Sequence, residues 1–128
     1  MKKILFVCVG NTCRSQMAKG FFNAYAKNVE ADSAGLNPGD RVDSYAVQVM
    51  KEKGIDISGF KPKMFTSSMN KEFDYIVTMG CMDGCPVTPR DKTIEWRVED
   101  PKGKTIDEYR KIRNEIEKLV KKLIQDIE

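Results

Sequence analysis

Five residues separate Cys8 from Arg14 in the stretch FVCVGNTCRSQMAKG, and Ser15 follows the arginine directly. An ionised thiol is a strong nucleophile. A planar guanidinium can bind two oxygens of a phosphate-like group and hold them through a trigonal-bipyramidal transition state, which lysine could not match. The chain contains no histidine, so neither a Ser-His-Asp set nor a Cys-His pair can be built, and a His-ligated metal site is excluded. The thiol must be activated by other means. Gly10 reaches backbone conformations closed to most residues, and Asn11 belongs to the few types that tolerate a left-handed one. The amides from Val9 to Arg14 can then converge as an anion nest, reinforced by the positive end of a helix beginning near Arg14. Cys8 at the base of that nest is stabilised as thiolate by the amides, the helix end and Arg14. Ser15 can donate to its sulfur and steady it as a leaving group in a later step. Cys13, in the same stretch, is expected to pack or to shape the loop. The chemistry implied is the binding of a tetrahedral oxyanion and attack on its central atom.

Such a loop needs a strand before it and a helix after it. Lys3 to Cys8 is an apolar run suited to a strand buried on both faces. From Arg14 to about Lys27, Met17, Ala18, Phe21, Phe22 and Tyr25 recur at helical spacing. Val29 to Ala34 suits a second strand, and Gly35, Pro38 and Gly39 mark a loop. Asp43 is placed to cap a second helix that carries Ala46, Val49 and Met50 on one face and stops at Gly54. Ser58 to Ser68 has no clear period and reads as loop or short helix. DYIVTM, residues 74–79, reads as the third strand, Gly80 to Arg90 as a loop with one helical turn, and Thr93 to Trp96 as a fourth strand. Thr105 and Glu108 form a capping box for a last helix with Ile106, Tyr109, Ile112, Ile116, Leu119, Val120, Leu123 and Ile127 on its apolar face. Strands alternating with helices predict a small doubly wound α/β fold: a four-stranded parallel sheet flanked by helices, with the phosphate-binding loop after the first strand. Phe73, Trp96, Met17, Met50 and Met79 are expected in the packed interior.

The chain of 128 residues, 41% hydrophobic and 32% charged, suits one domain spanning 1–128. Its net charge of +3 is spread along the sequence without a block, which argues against nucleic acid and leaves room for an anionic small molecule. Lys2 and Lys3 before an apolar run imitate a signal peptide, but the run is short and breaks into Asn-Thr-Cys-Arg-Ser without a cleavage pattern. No stretch has the length of a membrane span. A cytoplasmic monomer is expected, and there four cysteines are catalytic, redox-active or metal-binding rather than a disulfide framework.

The motif VCVGNTCRSQMA resembles the phosphate-binding loop of the low-molecular-weight protein tyrosine phosphatase superfamily. The likeness continues through DSAG at 32–35, DYIVTMGC and EDPKG at 99–103, in the family's order. Within the superfamily, TMGCMDGCPVTP is similar to the redox loop of thioredoxin-type arsenate reductases. The resemblance implies Cys8 as nucleophile, with Arg14 and the amides of Val9, Gly10, Asn11, Thr12, Cys13, Arg14 and Ser15 gripping the oxyanion. It implies that Asn11 holds the loop through hydrogen bonds reaching Ser15 and Ser33, and that Asp100, before Pro101, is the general acid. For a reductase it implies arsenate as substrate, with phosphate or sulfate as analogues. Cys81 would attack the Cys8–arsenic adduct, Cys85 would resolve the Cys8–Cys81 disulfide, and thioredoxin or a similar dithiol protein would reduce Cys81–Cys85.

Three readings compete with this one. A phosphatase would need neither Cys81 nor Cys85, since water would hydrolyse the phosphocysteine with Asp100 as base. Lys102 and Gly103 stand where phosphatases of the superfamily tend to carry aromatic residues, which weakens that reading. Four thiolates could in principle ligate zinc, but C-x4-C and C-x3-C are not the usual knuckle spacings and leave Arg14 and Asp100 unexplained. A phosphate-binding protein without chemistry would not need the thiol. The interval between Cys81 and Cys85 is shorter than in better-known reductases. Some relatives hold potassium through acidic side chains at positions occupied here by Lys19 and Lys63, so no metal site and no cofactor are expected.

Overall fold

In the computed structural model, which describes residues 2–80 and 88–128, Lys2–Cys8 forms strand β1. Its side chains alternate between two covered faces. Ile4, Phe6 and Cys8 join the larger core with Met17, Phe21 and Ile116, whereas Leu5 and Val7 pack with Ala34, Phe73 and Ile76 on the opposite side. This double burial is why β1 is apolar without a break from Ile4 to Cys8. The other strands are β2 (Val29–Gly35), β3 (Tyr75–Met79) and β4 (Thr93–Trp96), and the sheet is parallel throughout in the order β2-β1-β3-β4. From β1 the chain first moves to one side and then crosses to the other. The crevice beyond the carboxyl end of β1 is therefore a topological switch point.

Helix α1 (Arg14–Tyr25) begins at that crevice. It ends slightly before the apolar spacing suggests, because Ala26 turns extended while its amide still donates to the Phe22 carbonyl. In α2 (Ser44–Lys51) the Asp43 side chain accepts from the Tyr45 amide, as the capping position predicts. The helix stops at Lys51, and residues 52–54 form a turn into Gly54. A short helix, α3 (Met69–Glu72), lies just past the stretch without a period. One turn is too short to leave a periodic signal, and Met69 shows its purpose by packing, with Phe65, against the smaller core. Arg90–Lys92 forms a single tight turn before β4. The long α4 (Ile106–Ile127) is capped by the Thr105 hydroxyl, which accepts from the Glu108 amide. Phe73, Trp96, Met17, Met50 and Met79 are all buried, the Trp96 ring lying 5.6 Å from that of Phe6. No helix among the described residues is long and apolar enough to cross a membrane. Cys81 and Cys85, and most of the loop expected there, lie outside the described residues.

Candidate active site

The loop between β1 and α1 is shaped by where its carbonyls go. Those of Cys8, Val9, Gly10 and Thr12 accept from the amides of Leu36, Asn37, Gly39 and Asp43, at 3.4, 2.8, 3.0 and 2.8 Å. The Asn11 carbonyl accepts from the Gln16 side chain at 2.9 Å, and that of Cys13 from the Met17 amide, also at 2.9 Å. With every carbonyl from Cys8 to Cys13 fastened to a donor elsewhere, the loop is free to turn amides toward an anion. The first-turn amides of α1, from Arg14 to Gln16, have no helical acceptor and carry the positive end of the helix dipole. A nest of this kind binds tetrahedral oxyanions.

Asn11 adopts the expected left-handed conformation, at φ +51°. Its buried side chain works from both ends: Oδ1 accepts from the Lys63 amide at 2.9 Å, and Nδ2 donates to Ser15 Oγ at 2.8 Å. Because Ser15 Oγ receives that bond, its own hydrogen is available to the Cys8 sulfur 2.9 Å away. The Asn11 amide donates to the same sulfur at 3.2 Å. Two donors thus converge on Cys8 Sγ, an arrangement that suits a sulfur anion. Ser33 reaches Asn11 indirectly, its hydroxyl donating to Gln16 Oε1 at 3.0 Å. Cys13 is also buried and free. Burial, followed by the Asp43 and Asp100 carboxylates, pushes the Cys13 thiol well above its usual range. The two loop cysteines therefore differ in kind: one sits among donors, the other is kept protonated.

Arg14 is buried, and its Nη1 donates to the carbonyls of Met79 (2.6 Å) and Val98 (3.0 Å), at the carboxyl end of β3 and just past β4. Nη2 lies 3.8 Å from Asp100 Oδ2. Asp100 has a side chain 49% exposed, with Oδ1 accepting from the Lys102 amide at 3.0 Å. It is thus both a turn residue, as Asp-Pro pairs usually are, and a carboxylate beside the guanidinium. On the far side of the loop, Asp43 donates its amide to Thr12 and accepts from the Tyr109 hydroxyl at 2.6 Å. Burial and that bond push the Tyr109 phenol above its ordinary range. Lys19 and Lys63 both ion-pair with Asp32. Burial raises the Asp32 carboxyl, but the Lys63 hydrogen bond and the Ser33 amide outweigh it, and the group titrates below its usual value.

The described residues Cys8, Val9, Gly10, Asn11, Thr12, Cys13, Arg14, Ser15, Ser33 and Asp100 thus gather at one crevice. Sequence reasoning missed Gln16, Asp43, the carbonyls of Met79 and Val98, and the close fit of Gly35, where a Cβ would lie 2.8 Å from both Asn11 Cβ and the Val9 carbonyl oxygen. The adjoining Arg-Ser-Gln run was the only available signal for Gln16. A glutamine in a helical first turn otherwise looks ordinary.

A buried thiol beside the Asn11 amide and the Ser15 hydroxyl, with a buried arginine and a nearby carboxylate at the switch point of a parallel sheet, makes a candidate cysteine-based oxyanion site. The chain belongs to the low molecular weight phosphotyrosine protein phosphatase family, whose model matches residues 3–128. It is 39% identical to arsenate reductase 1 of Staphylococcus epidermidis over 127 residues, covering 90% of this chain and 89% of that one. Among solved structures it is similar to a low molecular weight protein tyrosine phosphatase from T. tengcongensis (TM-score 0.88, 36% identity, 99% and 100% of the two chains). It is similar also to a thioredoxin-dependent arsenate reductase of Corynebacterium glutamicum (TM-score 0.83, 34% identity), covering 99% of this chain and 62% of that one.

Proposed function

We infer that the chain is an arsenate reductase that uses Cys8, Cys81 and Cys85 in turn, folded as one domain over 1–128. The supporting observation is that Arg14 is held by the carbonyl of Met79, which stands two positions before Cys81 in the sequence. In this reading arsenate enters the nest and the Cys8 thiolate attacks arsenic. An As–O bond breaks, Asp100 gives its proton to the departing oxygen, and water leaves. Cys81 then attacks the Cys8 sulfur. The sulfur–arsenic bonding pair passes to arsenic, which goes from the pentavalent to the trivalent state and leaves as arsenite, while the two sulfurs form a disulfide. Cys85 attacks Cys81, freeing the Cys8 thiolate, and thioredoxin or a similar dithiol protein reduces Cys81–Cys85. A reductant of that kind is available in the cytoplasm, and the reading needs only one copy of the chain.

The phosphatase reading is favoured by one feature, the carboxylate of Asp100 beside Arg14, since hydrolysis of a phosphocysteine requires a base for water. The two separate in one experiment. Arsenate-dependent NADPH oxidation is measured with thioredoxin and its reductase, and again with a glutaredoxin system, for the parent, Cys81→Ser and Cys85→Ser, with p-nitrophenyl phosphate hydrolysis in parallel. The reductase reading predicts arsenate turnover in the parent, its loss in both variants, and ester hydrolysis retained in all. Absent arsenate turnover with hydrolysis indifferent to Cys81 and Cys85 would establish a phosphatase.

A further inference from the structure

We propose that Gly80 is a positioning residue for the oxyanion grip: having no side chain, it leaves Arg14 Nη1 its place between the carbonyls of Met79 and Val98. The inference rests on Arg14 as the oxyanion-binding group, which the reductase and phosphatase readings share. A Cβ on Gly80 would lie 2.8 Å from Arg14 Nη1 and 3.0 Å from the Val98 carbonyl oxygen. The end of an arginine normally swings aside at little cost, but here the guanidinium is buried and Nη1 holds two carbonyls. Moving it breaks both bonds and leaves their acceptors without that donor. The guanidinium is rigid and planar, so displacing Nη1 turns Nη2 as well, and with it the fork that meets the oxyanion. Gly80 therefore acts on the anion through Arg14, without touching it.

Gly80 also has φ +75°, which by itself disfavours a side chain. Gly54 separates the two effects, since its φ is +76° and nothing lies within 4 Å of a Cβ there. Alanine at 54 carries the same backbone cost without crowding Arg14. Asparagine at 80 supplies the crowding at a lower backbone cost, because it tolerates the left-handed region.

The test is the dissociation constant for inorganic phosphate, measured by titration calorimetry on the reduced full chain. Phosphate is used because it cannot be reduced, so the relay cysteines do not enter the result. Gly80→Ala and Gly80→Asn are expected to weaken binding at least about tenfold, the scale of a lost charged hydrogen bond. Gly54→Ala is expected to stay within about twofold, and in an Arg14→Lys background Gly80→Ala should add less than about twofold, since coupled residues are not additive. If Gly80→Ala does not fold, Gly80→Asn is read in its place. Binding within about twofold of the parent in the folded variant overturns the inference, as does an undiminished loss in the Arg14→Lys background. A parent that does not bind phosphate overturns the oxyanion reading itself, and this inference with it.

Discussion

The loop from Cys8 to Ser15 and the turn from Asp100 to Lys104 meet at Arg14, yet they are held in opposite ways. In the loop, each carbonyl from Cys8 to Cys13 has a donor, and Asn11, Arg14 and Ser15 are buried. In the turn, Asp100 is half exposed, tied by the Lys102 amide and a 3.8 Å approach to Arg14, and the Lys104 amide closes back on the Pro101 carbonyl. The difference matches the two tasks proposed for these regions. Binding and attack need donors fixed before the substrate arrives, because donors that must reorganise give back part of what they stabilise. Proton transfer needs a carboxylate that can exchange with water in both directions.

The largest effect is expected at the sulfur. Cys8→Ser should abolish both arsenate reduction and ester hydrolysis while phosphate still binds, whereas Cys13→Ser should retain turnover. Equal losses in the two variants, assayed with p-nitrophenyl phosphate, would erase the distinction between the loop cysteines. Next comes the turn: Asp100→Asn should slow ester hydrolysis by about 10²–10³-fold and leave the dissociation constant for phosphate nearly unchanged. A large loss of binding would mean that Asp100 orients Arg14 rather than supplying a proton. Gln16→Ala removes the donor to the Asn11 carbonyl and the acceptor for Ser33, so it should cost about 1–3 kcal/mol in a denaturant titration and raise KM for ester and arsenate together. Unchanged stability would mean that the loop does not depend on this fastener.

The smallest effect is expected far from the crevice. Glu52 binds Arg110 and Arg113 across α2 and α4, and these bonds hold its carboxyl down at about 2 against an ordinary 4.5. Its folded value is the depressed one, so its contribution is present above pH 4.5 and fades as pH falls toward 2. Glu52→Gln should lower the denaturation midpoint slightly at pH 7, with the gap to the parent closing in acid. A gap that persists below pH 2 would assign the effect to packing.

The nest was readable from sequence because its determinants are contiguous: a thiol, a glycine, a left-handed asparagine and an arginine follow a buried strand and open a helix. Both flanking elements were readable for the same reason, since apolar runs and helical spacing are local. What holds the nest was not readable. Leu36, Asn37, Gly39 and Asp43 act through backbone amides, which any residue but proline carries, and Gly80 acts by lacking a side chain. Helix α3 was missed because four residues cannot display a period. Asp100 was a candidate only through the family resemblance, since an aspartate before proline is in most chains no more than a turn. The structure brings its carboxylate to 3.8 Å from Arg14, a residue remote from it in the sequence.

A single turnover shows whether the three cysteines pass one disulfide along. The reduced chain is mixed with arsenate without any external reductant, alkylated, and its disulfides mapped by mass spectrometry. The account predicts Cys81–Cys85 in the parent and Cys8–Cys81 in Cys85→Ser, each with one equivalent of arsenite released. No disulfide, or a pair that omits Cys81, would contradict it.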